Sequence, residues 1–154
     1  MERSFLLWVA LAGAAAQNPI TWKIERSGRG PVEPKARLEV VVTAAIEDGW
    51  RLYSITQPPG GPITTRIRLL KDQPFVQDGR IEGQPPLREI DRNFDMEVEY
   101  HEGSAAFQVP VRVAESANAG PENLRIETIF QSCNEKLCLP PKTVRLELPV
   151  ELKK

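Results

Sequence analysis

The chain has 154 residues, a formal net charge of −1 and a single histidine. That length fits one ordinary domain of about 100–200 residues. The near-neutral balance and the lack of any basic cluster give no electrostatic footprint for nucleic acid or for an anionic membrane surface.

The first segment is a targeting signal in layout. Arg3 precedes the apolar run FLLWVALA at 5–12, and Ala14 and Ala16 offer an A-x-A cleavage site before Gln17. The run is short of the about 20 apolar residues a spanning helix needs, and no cysteine follows it to carry a lipid. Residues 1–16 are therefore expected to be a cleaved secretory signal. The mature product, residues 17–154, is expected to be exported, soluble and a monomer, with no membrane insertion.

Beyond the signal the dominant pattern is alternation with period two, as in strands with one buried face. Ile20, Trp22 and Ile24 open it, and Leu38 to Ile46 continue it. Ile63, Thr65, Ile67 and Leu69 form a third run, Met96, Val98 and Tyr100 a fourth, and Phe107 to Val113 a fifth. Leu124 to Phe130 and Val144 to Val150 close the chain. Connectors such as SGRGPVEP at 27–34, QPPGGP at 57–62 and ANAGP at 117–121 hold most of the 14 prolines, where a missing N–H costs nothing. Seven to nine short strands so punctuated predict an all-β fold, a single immunoglobulin-like antiparallel β-sandwich.

Chemistry concentrates in QSCNEKLCLPP at 131–141, which holds both cysteines with four residues between them. They fall between the last two predicted strands, at the edge of the fold. As a staple the pair is weak: a loop this short contributes about 2 kcal/mol by chain entropy, against nearly 5 for about 100 residues. Zinc would need four ligands, and the sole histidine, His101, is far upstream. Two thiolates would suit Cu(I), a soft ion. A cysteine nucleophile for hydrolysis would need a nearby base, whereas His101 lies in a polar HEG turn and reads as a solvated loop residue. The acidic residues that alternate with apolar ones read as solvated strand faces, so neither a cofactor nor a metal site is predicted. Thiol–disulfide exchange needs only an attacking thiolate, a resolving thiol and access. No helix N-terminus would lower a thiol pKa here, which leaves Lys136, geometry or a partner to supply reactivity. The residues alone leave a structural bridge and an exchange site both open.

Three stretches carry a resemblance: GWRLYSITQPPGGPITTRIRL at 49–69, DRNFDMEVEYHEG at 91–103, and FQSCNEKLCLPPKTV at 130–144. In that order they resemble the N-terminal periplasmic domain of the thiol:disulfide interchange protein DsbD. The resemblance implies an immunoglobulin-like fold and a protein-disulfide reductase component. It implies electrons taken from a membrane-embedded thiol reductase and passed to thioredoxin-like periplasmic proteins, including those serving cytochrome c maturation. Carried over by position, Cys138 is the attacking thiol and Cys133 the resolving one. Phe94 becomes a cap aromatic over the sulfurs, Asp91 and Asn93 share its loop, and Tyr53 flanks the site. Because this chain ends at Lys154, without the family's membrane and thioredoxin-like domains, the expectation is a free-standing carrier. A non-enzymatic exported binding or assembly module with a structural disulfide is the alternative.

Overall fold

The computed structural model describes residues 17–154; the expected signal at 1–16 lies outside them. Twelve strands run in the order β1 (Ile20–Arg26), β2 (Arg37–Ile46), β3 (Arg51–Tyr53), β4 (Arg66–Leu69), β5 (Phe75–Gln77), β6 (Glu82–Gly83), β7 (Leu87–Asp91), β8 (Met96–His101), β9 (Ser104–Val113), β10 (Gly120–Phe130), β11 (Ser132–Cys133) and β12 (Lys142–Leu152). All strand-to-strand ladders are antiparallel, and no α-helix occurs among the described residues. The long strands are those the alternation predicts. The additional ones are two to five residues long, too short for periodicity to mark.

One layer is the sheet β1-β2-β9-β5, with β6 also on β9. Facing it are two smaller sheets, β12-β10-β4 and β11-β3-β8-β7. Inward residues of all three form one core. Val40, Val42, Phe107 and Val109 come from the first layer, and Leu52, Leu124, Ile126 and Leu152 from the second. Trp22 closes one end of it, with its ring 5.2 Å from Phe130 and 6.2 Å from Phe107. The fold is an immunoglobulin-like antiparallel sandwich, built from inward side chains two apart on facing strands.

Three expectations need correcting. The run at 63–69 is a strand only from Arg66 onward. Before that the backbone is spent elsewhere: the Ile63 N–H donates to Gln131 Oε1 at 3.1 Å, and the Thr65 N–H to the Ser54 carbonyl at 3.2 Å. Glu99 and Glu127 are not solvated but buried. Arg68 Nε donates to Glu127 at 2.7 Å, and Ser54 and Thr56 hydroxyls donate to Glu99 Oε2, so each charge keeps partners out of water.

His101 is the third. It ends β8 opposite Leu52 and is 3% exposed, with its ring edge-on to Phe107 at 5.8 Å. Burial among apolar groups disfavours the imidazolium and pushes its pKa below the ordinary value. Protonation then favours the unfolded chain, so this contribution is complete above about pH 6.5 and is lost as pH falls through the lower folded-state pKa. Denaturant titrations from pH 7.5 down to 5 are expected to show stability falling with at most about 1.4 kcal/mol per unit from this group. His101→Phe is expected to flatten that slope; an unchanged slope would assign it elsewhere.

Candidate functional site

The sheet β11-β3-β8-β7 is apolar on both faces, and only one of them belongs to the main core. On the inner side lie Leu52, His101 and the buried Glu99; on the outer side Tyr53, Val98, Tyr100 and Cys133 form a second small cluster, with Met96 against it. Period two produces this split: Leu52 pairs with His101 and Ser132, while Tyr53 pairs with Tyr100. The outer cluster is covered by two chain reversals, and between them lies a groove lined by both cysteines.

One reversal carries the cysteines. Cys133 ends β11, pairs with Arg51 and bridges across to Cys138, to which it is disulfide-bonded. The four residues between them make a tight turn because Asn134 folds onto it. Its side-chain oxygen accepts from the Lys136 and Leu137 N–H groups, both at 2.8 Å, and its own N–H donates to the Leu137 carbonyl at 2.9 Å. Behind the turn the Leu139 N–H donates to the Ser132 carbonyl at 2.9 Å. The two sulfur-bearing residues are thereby made unequal: Cys133 is 3% exposed, and Cys138 is exposed.

The other reversal is the tip of the β7–β8 hairpin. Asp91 is the last residue of β7 and pairs with Met96, so it is a strand end rather than part of the loop. Its Oδ1 accepts the Asn93 N–H at 2.8 Å, and Asp95 takes a positive φ of 51°, which together turn the chain at Arg92–Asp95. Asn93 is exposed and Phe94 half-buried. Phe94, Asp91, Asn93 and Tyr53 all line the groove that holds Cys133 and Cys138. The site residues expected from the sequence are therefore brought together. Phe94 precedes β8 and rests on the proline loop: a Cβ built on Gly61 would stand 3.4 Å from its ring and 2.6 Å from Met96 Sδ.

Tyr53 is both core and site. It is 1% exposed within the outer cluster, and burial, with Asp91 nearby, pushes its hydroxyl up to about 12. It stays protonated at any physiological pH.

Sequence reasoning missed Arg51 and Glu89. Arg51 Nη1 bonds Glu89 Oε1, its Nε lies 3.5 Å from Glu102, and its Cζ stands 4.2 Å above the Tyr100 ring. The Tyr100 hydroxyl donates to Glu89 Oε2 at 3.2 Å. The Arg51 bond holds the Glu89 carboxyl below its usual pKa. Arg51 and Cys133 are far apart in sequence and meet only through the β3–β11 ladder. LREID, whose apolar residues Leu87 and Ile90 are three apart, carries no period-two alternation, so no local sign marks β7 or the side its Glu89 takes. Lys136, the cation the sequence offered, sits exposed in the turn. Among the described residues no group of three or more His, Cys, Asp or Glu is placed to hold a metal.

The close approach at Gly61 makes a local prediction. Gly61→Ala is expected to displace Met96 and loosen the Phe94 tip, at a cost of about 1 kcal/mol because a methionine side chain yields readily. Hydrogen exchange is expected to quicken at 92–97 and not in β9 or β12; uniform quickening would mean the whole sandwich was disturbed.

No curated protein matches this chain. Among solved structures, the reduced DsbD N-terminal domain of Neisseria meningitidis superposes with a TM-score of 0.52 at 17% identity, covering 73% of this chain and 78% of that one. The N-terminal periplasmic domain of ScsB from Proteus mirabilis gives 0.54 at 11% identity, covering 88% of this chain and 47% of that one, so the chain spans about half of that structure. Both likenesses are of fold. The sequence model of the N-terminal region of the thiol:disulfide interchange protein DsbD matches residues 30–149, a stretch that takes in the whole groove and both cysteines, and the chain belongs to that family.

Proposed function

We propose that this protein is a periplasmic dithiol/disulfide carrier in which Cys138 exchanges with partners and Cys133 resolves. The observation that carries the reading is the inequality of the two sulfur-bearing residues, one buried in the outer cluster and one exposed on the turn above the groove. A partner's sulfur reaches the exposed one first, and a thiol inside the cluster is protected from every attacker except its own neighbour.

In the reduced protein the Cys138 thiolate attacks one sulfur of a client disulfide. A mixed disulfide forms and the client's other sulfur leaves as a thiolate. Cys133, deprotonated, then attacks Cys138 Sγ, the intramolecular disulfide closes, and the client leaves with its second thiolate. Two electrons pass to the client, and protons from solvent complete its thiols. A membrane-embedded thiol reductase then returns the carrier to the dithiol by the same exchange run in reverse. Thioredoxin-like periplasmic proteins are the clients that family membership favours.

Phe94 serves as the cap. It lies at the turn of a hairpin, outside the strands and against the proline loop at Gly61, so it can swing from the groove without moving a core strand. Asp91 and Asn93 fix the turn that carries it, and Tyr53 forms the floor. Cys133 and Cys138 are the only residues that change covalent bonds.

Two measurements test this. Graded thiol/disulfide buffers followed by alkylation are expected to give a midpoint above the about −300 mV typical of structural bridges. A pair that stays oxidised until the domain unfolds would make it a staple. With clients present, Cys133→Ser is expected to accumulate mixed disulfides through Cys138, and Cys138→Ser to trap at least tenfold less; equal trapping would remove the division of roles.

A further inference from the structure

The groove around the sulfurs carries charge of both signs, but unevenly. Arg92 at the hairpin tip and Glu135 and Lys136 in the turn are exposed, where water and salt weaken their fields. Asp91, half-buried, is occupied by the Asn93 N–H. Arg51 differs from all of these. Its side chain is 24% exposed, its Cζ stands over the Tyr100 ring, and it is directly opposite Cys133 in the β3–β11 ladder. Side chains opposed in this way leave the same face of the sheet with Cβ atoms about 4.5–5.5 Å apart. Backbone register thus brings the two Cβ atoms side by side, and Glu89 with the Tyr100 ring holds the guanidinium in the groove that both cysteines line.

A lone guanidinium there would favour thiolate strongly. It is not alone, because Glu89 bonds it from β7, the next strand but one, and Glu102 adds a weaker partner at 3.5 Å. Glu89 is in turn held by the Tyr100 hydroxyl. Removing either member of the pair shifts the local charge beside the cysteines by one unit of known sign.

We propose that the Arg51–Glu89 pair is a positioning device that sets the thiolate fraction of the reduced Cys133/Cys138 dithiol, with Arg51 favouring the thiolate and Glu89 limiting that effect. This rests on the pair being an exchange site. Neither residue changes bonds. The consequence is chemical: the attacking species is the thiolate, and its abundance at working pH scales the first step of exchange.

The test follows first-alkylation rates of the reduced, full-length protein against pH, with melting temperatures taken alongside. The two thiols titrate as a coupled pair, so the apparent first pKa is the quantity read. Arg51→Met is expected to lower the thiolate fraction at pH 7.5 by about three- to tenfold, which corresponds to about half to one unit in that pKa. Glu89→Gln is expected to raise it by a similar factor, and the double variant to return within about twofold of the parent. Arg51→Lys keeps the charge and is expected to hold most of the parent value even where melting temperature falls.

Opposed shifts are the signature, because a merely structural pair would move both single variants in the same direction by loosening the fold. Same-direction shifts, or none, in variants that stay folded would overturn the proposal while leaving the exchange reading intact. A parent pair that resists reduction until unfolding would defeat the exchange reading, and this proposal with it.

Discussion

The site depends on one constraint: a four-stranded sheet that must bury both of its faces. Its inner face is committed to the sandwich through Leu52 and the His101–Phe107 contact. Its outer face carries Tyr53, Val98 and Tyr100, which have no second layer above them. The chain covers them with the cysteine turn and the Phe94 hairpin, so the apolar surface that needs a roof is the same surface that holds Cys133. Burying Cys133 and exposing Cys138 follows from this, since the roof is only one turn thick. The chemistry is therefore seated on a packing solution rather than added to a finished fold.

Polar groups do the work of fixing the roof's supports. Glu99 accepts the Ser54 hydroxyl at 3.1 Å and pairs with Arg88 at 3.2 Å, while its N–H donates to Gln57 Oε1 at 2.7 Å. These bonds clamp the start of the proline loop against β8, and that loop is what Phe94 leans on. From the other end, Gln131 accepts the Ile63 N–H and donates to the Leu139 carbonyl at 3.3 Å, joining the same loop to the cysteine turn. Two reversals distant in sequence are thereby referenced to a common loop. A buried carboxylate in such a place costs desolvation, and three donors to its side chain offset that cost.

The architecture was legible because alternation survives in long strands: β2 and β9 bury every second residue, β10 does so from Leu124 onward, and in β12 every second residue from Val144 is half-buried or buried. The cysteine pair was legible from its spacing, and the groove neighbours Tyr53, Asp91, Asn93 and Phe94 from the resemblance. What stayed hidden depends on register. Nothing local distinguishes Glu99 from Glu97, one buried and one exposed, until Ser54 and Thr56 are brought against the first. His101 looked solvated because its neighbours in HEG are polar; it is buried because β8 extends one residue further than the alternation of apolar residues does. Arg51 and Glu89 belong to strands of three and five residues, and their meeting beside Cys133 is a property of the ladder, absent from either segment alone.

The ladders also differ greatly in length. β10 and β12 are zipped over their full eleven residues, whereas β11 holds β3 through two, and the disulfide lies at the end of that short contact. Cooperativity in such a molecule is divided: the hairpin of long strands and the core beneath it open only with global unfolding, while the segment 132–139 has little of its own to break once its cross-link is reduced. The molecule thus places its covalent change in a region whose mechanical state can follow the oxidation state, above a foundation that does not register it. Local opening at 132–139 is then separable from opening of the long ladders, so the cross-link can be broken and remade without disturbing the sandwich that carries it.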